Sequence, residues 1–409
     1  MAILFGLVLV FCVLAVAHTY LFYPLWVTSG RGRRMLGEEQ KSKESLKQKS
    51  LPPVFVLMAA HNEAAVIEEK LISLQGQDYA GPLTFLIGSD RSTDGTNEML
   101  QTFAATDDRF RPTYFTTRQG KPAIINQLAA AAIKTTPTGA IFVISDASVM
   151  LKPNTIQELV WPMMTNKRIG VVDATMVQVG GQVSGVGASE TTYINREVAI
   201  KQAESRRWQT MIGPFGGCWA IRAAAYTPVP DNFLVDDFFL CMAAYEQGFR
   251  GVTSERAQVE EAVGQVMREE FRRKVRISSG NWQNLVRFRR LWWFPTKNTL
   301  AFAFFSHKVL RWWTPFFMLI GVICVVLLVV SLGLNHWVSG LLILILTGAA
   351  AMVLADLLLQ ALNLHVRLLR GLRYFLAMNL ALLVGFFRFL TGIKTNVWQP
   401  TQRYGTKDD

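Results

Sequence analysis

Charge is scarce in this chain of 409 residues: charged residues make up 18 %, against 51 % apolar. An ordinary soluble protein does not have that balance. Cysteine is scarce too. Cys12, Cys218, Cys241 and Cys324 show no framework spacing, which argues against a disulfide-stapled secreted fold and suits reduced thiols in the cytosol. No zinc spacing, internal repeat or recognisable nucleic-acid module is present, so the net charge of +12 does not point to nucleic acid as a partner. Much of the basic charge lies instead beside apolar runs, at Arg31 to Arg34, Arg287 to Arg290, Lys308 to Arg311 and Arg367 to Arg373. That distribution follows the positive-inside rule and fits attraction to an anionic lipid leaflet.

Long apolar runs occupy both ends. Residues 2–27 have membrane-spanning length and are interrupted only by His18, Thr19 and Pro24. The start has no basic residue, while Arg31, Arg33 and Arg34 follow the run. This reads as an uncleaved anchor, with a cleaved signal peptide as the weaker alternative. Residues 28–51 form a polar juxtamembrane linker. Strand-like runs then alternate with helical ones over residues 52–285, which argues for a mostly parallel α/β sheet. The expected strands are 54–60, 83–88, 113–115, 140–144 and 169–177. The expected helices are 65–75, 96–105, 121–134 and 154–164, and the glycine-rich run 180–187 is expected to be a mobile loop.

Beyond Gln283 the pattern changes. Residues 286–315 read as interfacial, beginning with an amphipathic helix over 286–295 that mixes Arg287, Arg289 and Arg290 with Trp292, Trp293 and Phe294. Runs 316–334 and 337–362 make a spanning hairpin that turns at Asn335. Run 374–390 carries Asn379 and Arg388 and either crosses or re-enters; residues 316–392 are the membrane helices and 393–409 a polar tail. The polar region is expected on the cytosolic face of the cell inner membrane.

Three carboxylate motifs follow one another in the polar region. Ser89-Asp90-Arg91-Ser92-Thr93-Asp94-Gly95 uses turn residues, and equally offers a strand-end acid for a ribose or base. Ser145-Asp146-Ala147-Ser148 supplies hard oxygens from a short loop, as a cation bridging two phosphates needs. Asp236 and Asp237 open an apolar helix, where the helix dipole favours acids, yet adjacent acids also raise one pKa toward that of a base. Arg272-Arg273-Lys274-Val275-Arg276 suits either phosphate or a solvated basic face. His61 either stacks on a base or caps its loop. The pairs Trp292-Trp293 and Trp312-Trp313 read as interface anchors.

Together these residues resemble the family-2 glycosyltransferases, the membrane group that includes cellulose, chitin and hyaluronan synthases and poly-β-1,6-N-acetylglucosamine synthase. Ala60-His61-Asn62-Glu63 is similar to the opening motif at the nucleotide base. Asp90 matches the second acid of the Asp-Asp-Gly-Ser segment. Gly120-Lys121 with Asn126 resembles the Gly-x-Lys helix start. Asp146 matches the first acid of the metal motif, with Ser148 in place of the second. Phe215-Gly216-Gly217-Cys218 followed by Arg222 resembles the acceptor-side segment. Asp236-Asp237 is similar to Thr-Glu-Asp, and Arg273, Arg276 and Ile277 fall on QxxRW, with Gly280 and Gln283 continuing the match.

The resemblance implies a GT-A type nucleotide-sugar domain on transmembrane α-helices and Mg²⁺ or Mn²⁺ as cofactor. It implies inverting transfer from a nucleotide sugar, UDP-linked by expectation, to a saccharide or lipid-linked acceptor, in polysaccharide biosynthesis of the cell envelope. Membrane lipids and accessory export or assembly subunits are the other implied partners. Asp237 would be the base beside Asp236. Ala60, His61, Glu63, Asp90, Lys121, Asp146, Arg273 and Arg276 would hold the nucleotide sugar. Phe215, Gly216, Gly217, Cys218 and Gln283 would line the acceptor, and Asp146 and Ser148 would bind the metal. Single addition to a polyprenyl-phosphate acceptor, and non-catalytic binding or transport, are the other readings.

Overall fold

A computed structural model describes residues 1–29, 50–135, 139–179, 186–262, 267–361, 366–393 and 395–396. The chain divides into two compact units. One comprises Gly30–Gly181, Ile194–Gly264 and Gly392–Asp409; the other comprises Met1–Ser29, Gln182–Tyr193 and Gln265–Thr391.

The first unit is built on one mixed sheet of eight strands in the order β3-β2-β1-β4-β7-β6-β8-β5. β1 (Val54–Ala60), β2 (Leu83–Asp90), β3 (Phe110–Phe115) and β4 (Ile141–Ser145) are mutually parallel. β1 and β4 are buried almost throughout, as strands covered on both faces must be, and so read as unbroken apolar runs. Helices Ile67–Gln75, Thr96–Thr106, Lys121–Thr135 and Thr155–Thr165 fall within two residues of expectation at each end. β2 runs two residues further than expected, because its pairing with β3 continues to Asp90 opposite Phe115. Asp90 is therefore the last residue of the strand rather than a residue beyond it.

β5 (Val149–Leu151), β7 (Cys218–Arg222) and β8 (Arg250–Ala262) were not anticipated. β5 is an apolar run of only three residues, and β8 interleaves charged with buried residues, so neither shows a run long enough to read as a strand. β6 (Ile169–Val179) pairs antiparallel with β7 and parallel with β8. Helix Val186–Trp208 begins inside the glycine-rich run, so Val186 and Gly187 are helical rather than loop. Residues 180–185 lie outside the described residues.

The second unit is helical. Among the described residues four helical stretches are long and apolar enough to cross a membrane: Ala2–Ser29, Thr299–Leu332, Trp337–Leu359 and Leu369–Leu390. Only 6 % of the most apolar window of Trp337–Leu359 is buried by protein, so its apolar surface needs lipid. Helix Met267–Arg287 runs through the domain boundary expected at residue 285, and Arg289–Trp292 is a separate turn. The single amphipathic helix expected over 286–295 does not form. Phe288 is fully buried between the two helices, and Trp282 and Leu285 continue its buried stripe backward into the longer one. Asp356, a buried acid of the spans, pairs with Arg373 at 2.6 Å. His18 and Ser306, each in a π-helical turn, meet at 3.0 Å.

Candidate active site

Parallel pairing puts the carboxyl ends of β1, β2 and β4 on one edge of the sheet, and there the three motifs converge. β7 enters antiparallel with Cys218 opposite Ser145, which delivers the Phe215-Gly216-Gly217 loop to the same edge. The Asp146 N–H donates to the Gly217 carbonyl at 2.9 Å, joining the metal motif to the acceptor-side segment.

A lysine that the sequence reading missed holds this loop from beneath. Lys70 is fully buried and donates from Nζ to Ser145 Oγ at 2.7 Å and to the Val149 carbonyl. Burial pulls its ammonium down to about 8, against the opposing pull of Cys218 and Asp146. A signal existed: Lys70 shares the buried face of its helix with Ile67, Leu71 and Leu74. Cys218 lies in the same layer, 1 % exposed, its thiol pushed up to about 11 by burial. It packs below the loop and offers no face to an acceptor. Arg222 is also structural, its Nε donating to the Ile169 carbonyl at 2.8 Å.

Asp90 organises the next loop. Its carboxylate is fully buried and accepts from Gln119 N–H at 2.7 Å, Gly120 N–H at 3.0 Å and Arg118 Nε at 3.2 Å. Those partners make Asp90 an anchor for the start of helix Lys121–Thr135; the direct ribose or base contact expected from the sequence is not what this carboxylate offers. His61 lies 2.8 Å from the Asp90 carbonyl through Nδ1, and burial lowers its pKa. It caps the strand ends. Ala60 closes β1 fully buried, and the Glu63 N–H donates to Thr96 Oγ1 at 3.0 Å.

Lys121, so positioned, meets the acids. Its Nζ lies 2.6 Å from Asp146 Oδ1 and 3.8 Å from Asp236 Oδ2. Burial would lower the ammonium, but Asp146 and Asp236 more than offset it and hold it above the usual lysine range. Asp236 Oδ2 is buried without a hydrogen bond, so Lys121 is its counter-charge.

Asp237 sits in the first turn of helix Asp236–Glu246, with Oδ1 accepting from the Phe238 N–H at 2.7 Å. Gly216 approaches from the loop with φ +87°, and a β-carbon there would run into Asp237 Oδ2. Only glycine suits both the backbone and the space. Burial, and then the neighbouring Asp236, push the Asp237 carboxyl up to about 6, with Lys121 pulling the other way. A half-buried acid poised near neutrality has the properties of a general base.

Arg273, Arg276, Ile277 and Gln283 lie on helix Met267–Arg287 in the helical unit. There Arg273 pairs with Glu270 at 3.3 Å and Lys274 with the same acid at 3.0 Å. Trp282 is enclosed by Trp313, Phe316 and Phe386, with ring centroids 4.9–5.8 Å away. Trp219 is fully buried in β7.

The donor set for a metal is small. Asp146 and Ser148 lie on the short β4–β5 loop, with the Asp146 side chain 37 % exposed. Among the described residues no group of three or more His, Cys, Asp or Glu converges to hold an ion. One carboxylate and one hydroxyl make no cage, but they fit a hard cation whose other ligands are diphosphate oxygens.

Known proteins bear on this arrangement. The model of Glycosyl transferase family 2 matches residues 55–227. A protein named Probable glycosyltransferase YdaM, from Bacillus subtilis (strain 168), is 24 % identical over 335 residues, covering 78 % of this chain and 76 % of that protein. Among solved structures, the mannosyltransferase PcManGT from Pyrobaculum calidifontis, in complex with GDP-Man and Mn²⁺, is 20 % identical with a TM-score of 0.61. The likeness covers 94 % of this chain and 99 % of that one. It supports the GT-A-like fold, a mixed sheet together with apolar helices. Over residues 55–227, which hold the first strands of the sheet and their loops, the chain is thus similar to a family 2 glycosyltransferase domain.

Proposed function

We propose that this protein is an inverting glycosyltransferase that works at the membrane, moving a sugar from a nucleotide-diphosphate donor to a saccharide or lipid-linked acceptor. The observation that carries the proposal is Asp237: an acid raised to about 6, pressed against Gly216 and faced by the Lys121–Asp146 pair. Asp237 takes the proton of the acceptor hydroxyl as the oxygen attacks the anomeric carbon from the side opposite the leaving diphosphate. Lys121 places positive charge where the leaving group gains negative charge. Asp146 and Ser148 would hold a divalent cation, which supplies further charge neutralisation to the diphosphate when bound. Arg273 and Arg276 are proposed for the diphosphate, and Gln283 for the acceptor, on the motif alone.

The apolar helices support a setting at a membrane, and the proposed site is the cell inner membrane with the catalytic unit in the cytosol, where nucleotide sugars are made. Polysaccharide or glycolipid assembly for the cell envelope is the process that fits such a setting. UDP is the donor nucleotide proposed from the resemblance, whereas the Pyrobaculum structure carries GDP-Man and Mn²⁺. The two nucleotides are therefore the arms of the test. Native membranes containing the protein are incubated with radiolabelled UDP-glucose, UDP-N-acetylglucosamine and GDP-mannose. Label should pass from one of them into a membrane-extractable or polymeric product in Mn²⁺. Transfer from none of the three, with the same label untouched by hydrolysis, contradicts the proposal and favours a binding or transport protein.

A further inference from the structure

Behind Asp237 lies a buried charge pair that the reaction scheme leaves unused. Asp173, on β6 opposite Trp219 of β7, is fully buried. Both of its oxygens accept from the Phe215 N–H, at 3.2 Å each. Lys201, on helix Val186–Trp208 and 3 % exposed, brings Nζ to 3.7 Å from Asp173 Oδ2. The same ammonium sits 3.6 Å from the centroid of the Phe215 ring. Phe215 is thus held twice, at its backbone by the acid and at its ring by the cation. The next residue is Gly216, where a β-carbon would run into Asp237 Oδ2.

We propose that Asp173 and Lys201 are positioning residues: they hold the Phe215–Gly217 loop against Asp237 and set the electrostatic field in which Asp237 acts as base. The inference rests on Asp237 being that base. A buried ion pair is a poor way to stabilise a core, because desolvation consumes most of the Coulombic gain and apolar replacements do as well. Retaining one directly behind a catalytic carboxylate needs another explanation, and orientation together with field supplies it.

The two charges act on Asp237 with opposite sign. Lys201 favours the carboxylate, and Asp173 disfavours it. Asp236 on its own helix and Lys121 from helix Lys121–Thr135 also face Asp237, disfavouring and favouring the carboxylate respectively. Asp173 is itself pushed up to about 7, by burial first and against the pull of Lys201. It therefore changes charge in the same range as its neighbour, and the proton on Asp173 couples to the one on Asp237.

The test reads Asp237 directly. The full chain, labelled with carboxyl-¹³C aspartate and held in detergent micelles, is titrated by NMR. The Asp237 resonance is assigned by its loss in Asp237→Asn. Asp173→Asn keeps an oxygen for the Phe215 N–H and removes only the charge. It should lower the Asp237 midpoint by only about a tenth or two of a pH unit, because Asp173 still carries its proton through most of that range. Lys201→Met should raise the midpoint, and by more, because the ammonium it removes is charged throughout that range. Lys201→Arg should return it toward wild type. The acid limb of the transfer rate should follow the same order. Midpoints that stay fixed, or that move the same way in Asp173→Asn and Lys201→Met, overturn the inference. Opposite shifts together with full transfer by Asp237→Asn would instead remove the base assignment, and with it the catalytic half of the proposal.

Discussion

At pH 7.5 the Asp237→Asn protein should melt at a higher temperature than wild type, and at pH 4 the two should melt together. In the folded chain Asp237 keeps its proton up to about pH 6. In the unfolded chain it loses the proton near 3.9, the ordinary value for aspartate. Between those values the unfolded state binds fewer protons, so stability falls as pH rises through the window and the deficit is constant above it. A separation of about two pH units corresponds to about 2–3 kcal/mol at neutral pH. Asp237 is half-buried, and water screening reduces the figure to about 1–2 kcal/mol. For a folding unit of roughly 150–250 residues that is worth about 2–8 °C in Tm. Asparagine has the same shape and keeps the oxygen that accepts from the Phe238 N–H, so the caps and packing are unchanged. Thermal melts of the purified protein in detergent, without nucleotide, at the two pH values measure the difference. A variant that melts lower at pH 7.5, or by an equal margin at both values, refutes the reasoning.

Three further outcomes follow from the same geometry. Nucleotide diphosphate binding measured by calorimetry in Mn²⁺ should weaken about tenfold or more in Asp146→Ala or in excess chelator; affinity indifferent to both would leave Lys121 as the charge partner and remove the cation. All four native cysteines are buried, so introduced thiols report topology cleanly: Asn335→Cys should react with an impermeant maleimide in intact cells and Ser42→Cys should not, whereas the reverse pattern would place the catalytic unit outside. Chromatography of labelled product should show a short oligosaccharide or a single added sugar, because Ile277 has no aromatic face and Trp219 and Trp282 are enclosed. Polymer in the void volume from purified protein contradicts that.

What the sequence disclosed tracks the physics that produced it. β1 and β4 are buried on both faces, and that leaves unbroken apolar runs anyone can read. β8 lies beside β5 near the edge of the sheet, mixing Arg250, Glu255, Arg256 and Glu260 with buried positions, and no run survives. Asp146, Asp236, Asp237 and Lys121 were legible because each lies at or just beyond the end of an element, where an acid or base stands out. Their convergence was not, since it depends on β7 entering antiparallel opposite Ser145. The same holds for Asp90, visible as an acid at a strand end but only in three dimensions an anchor for the Arg118–Gly120 backbone. Lys70 and Lys201 escaped notice as ordinary lysines on helices, where burial against distant strands, not local pattern, gives them their work.

The central claim is that Asp237 is the base for sugar transfer, and the initial rate of Asp237→Asn tests it most directly. The variant is assayed with the donor that wild type uses, alongside nucleotide binding by calorimetry. A base acts on the acceptor, so transfer should fall by about a hundredfold to ten-thousandfold while nucleotide affinity stays within about twofold. Transfer near the wild-type rate from the asparagine variant would contradict the account.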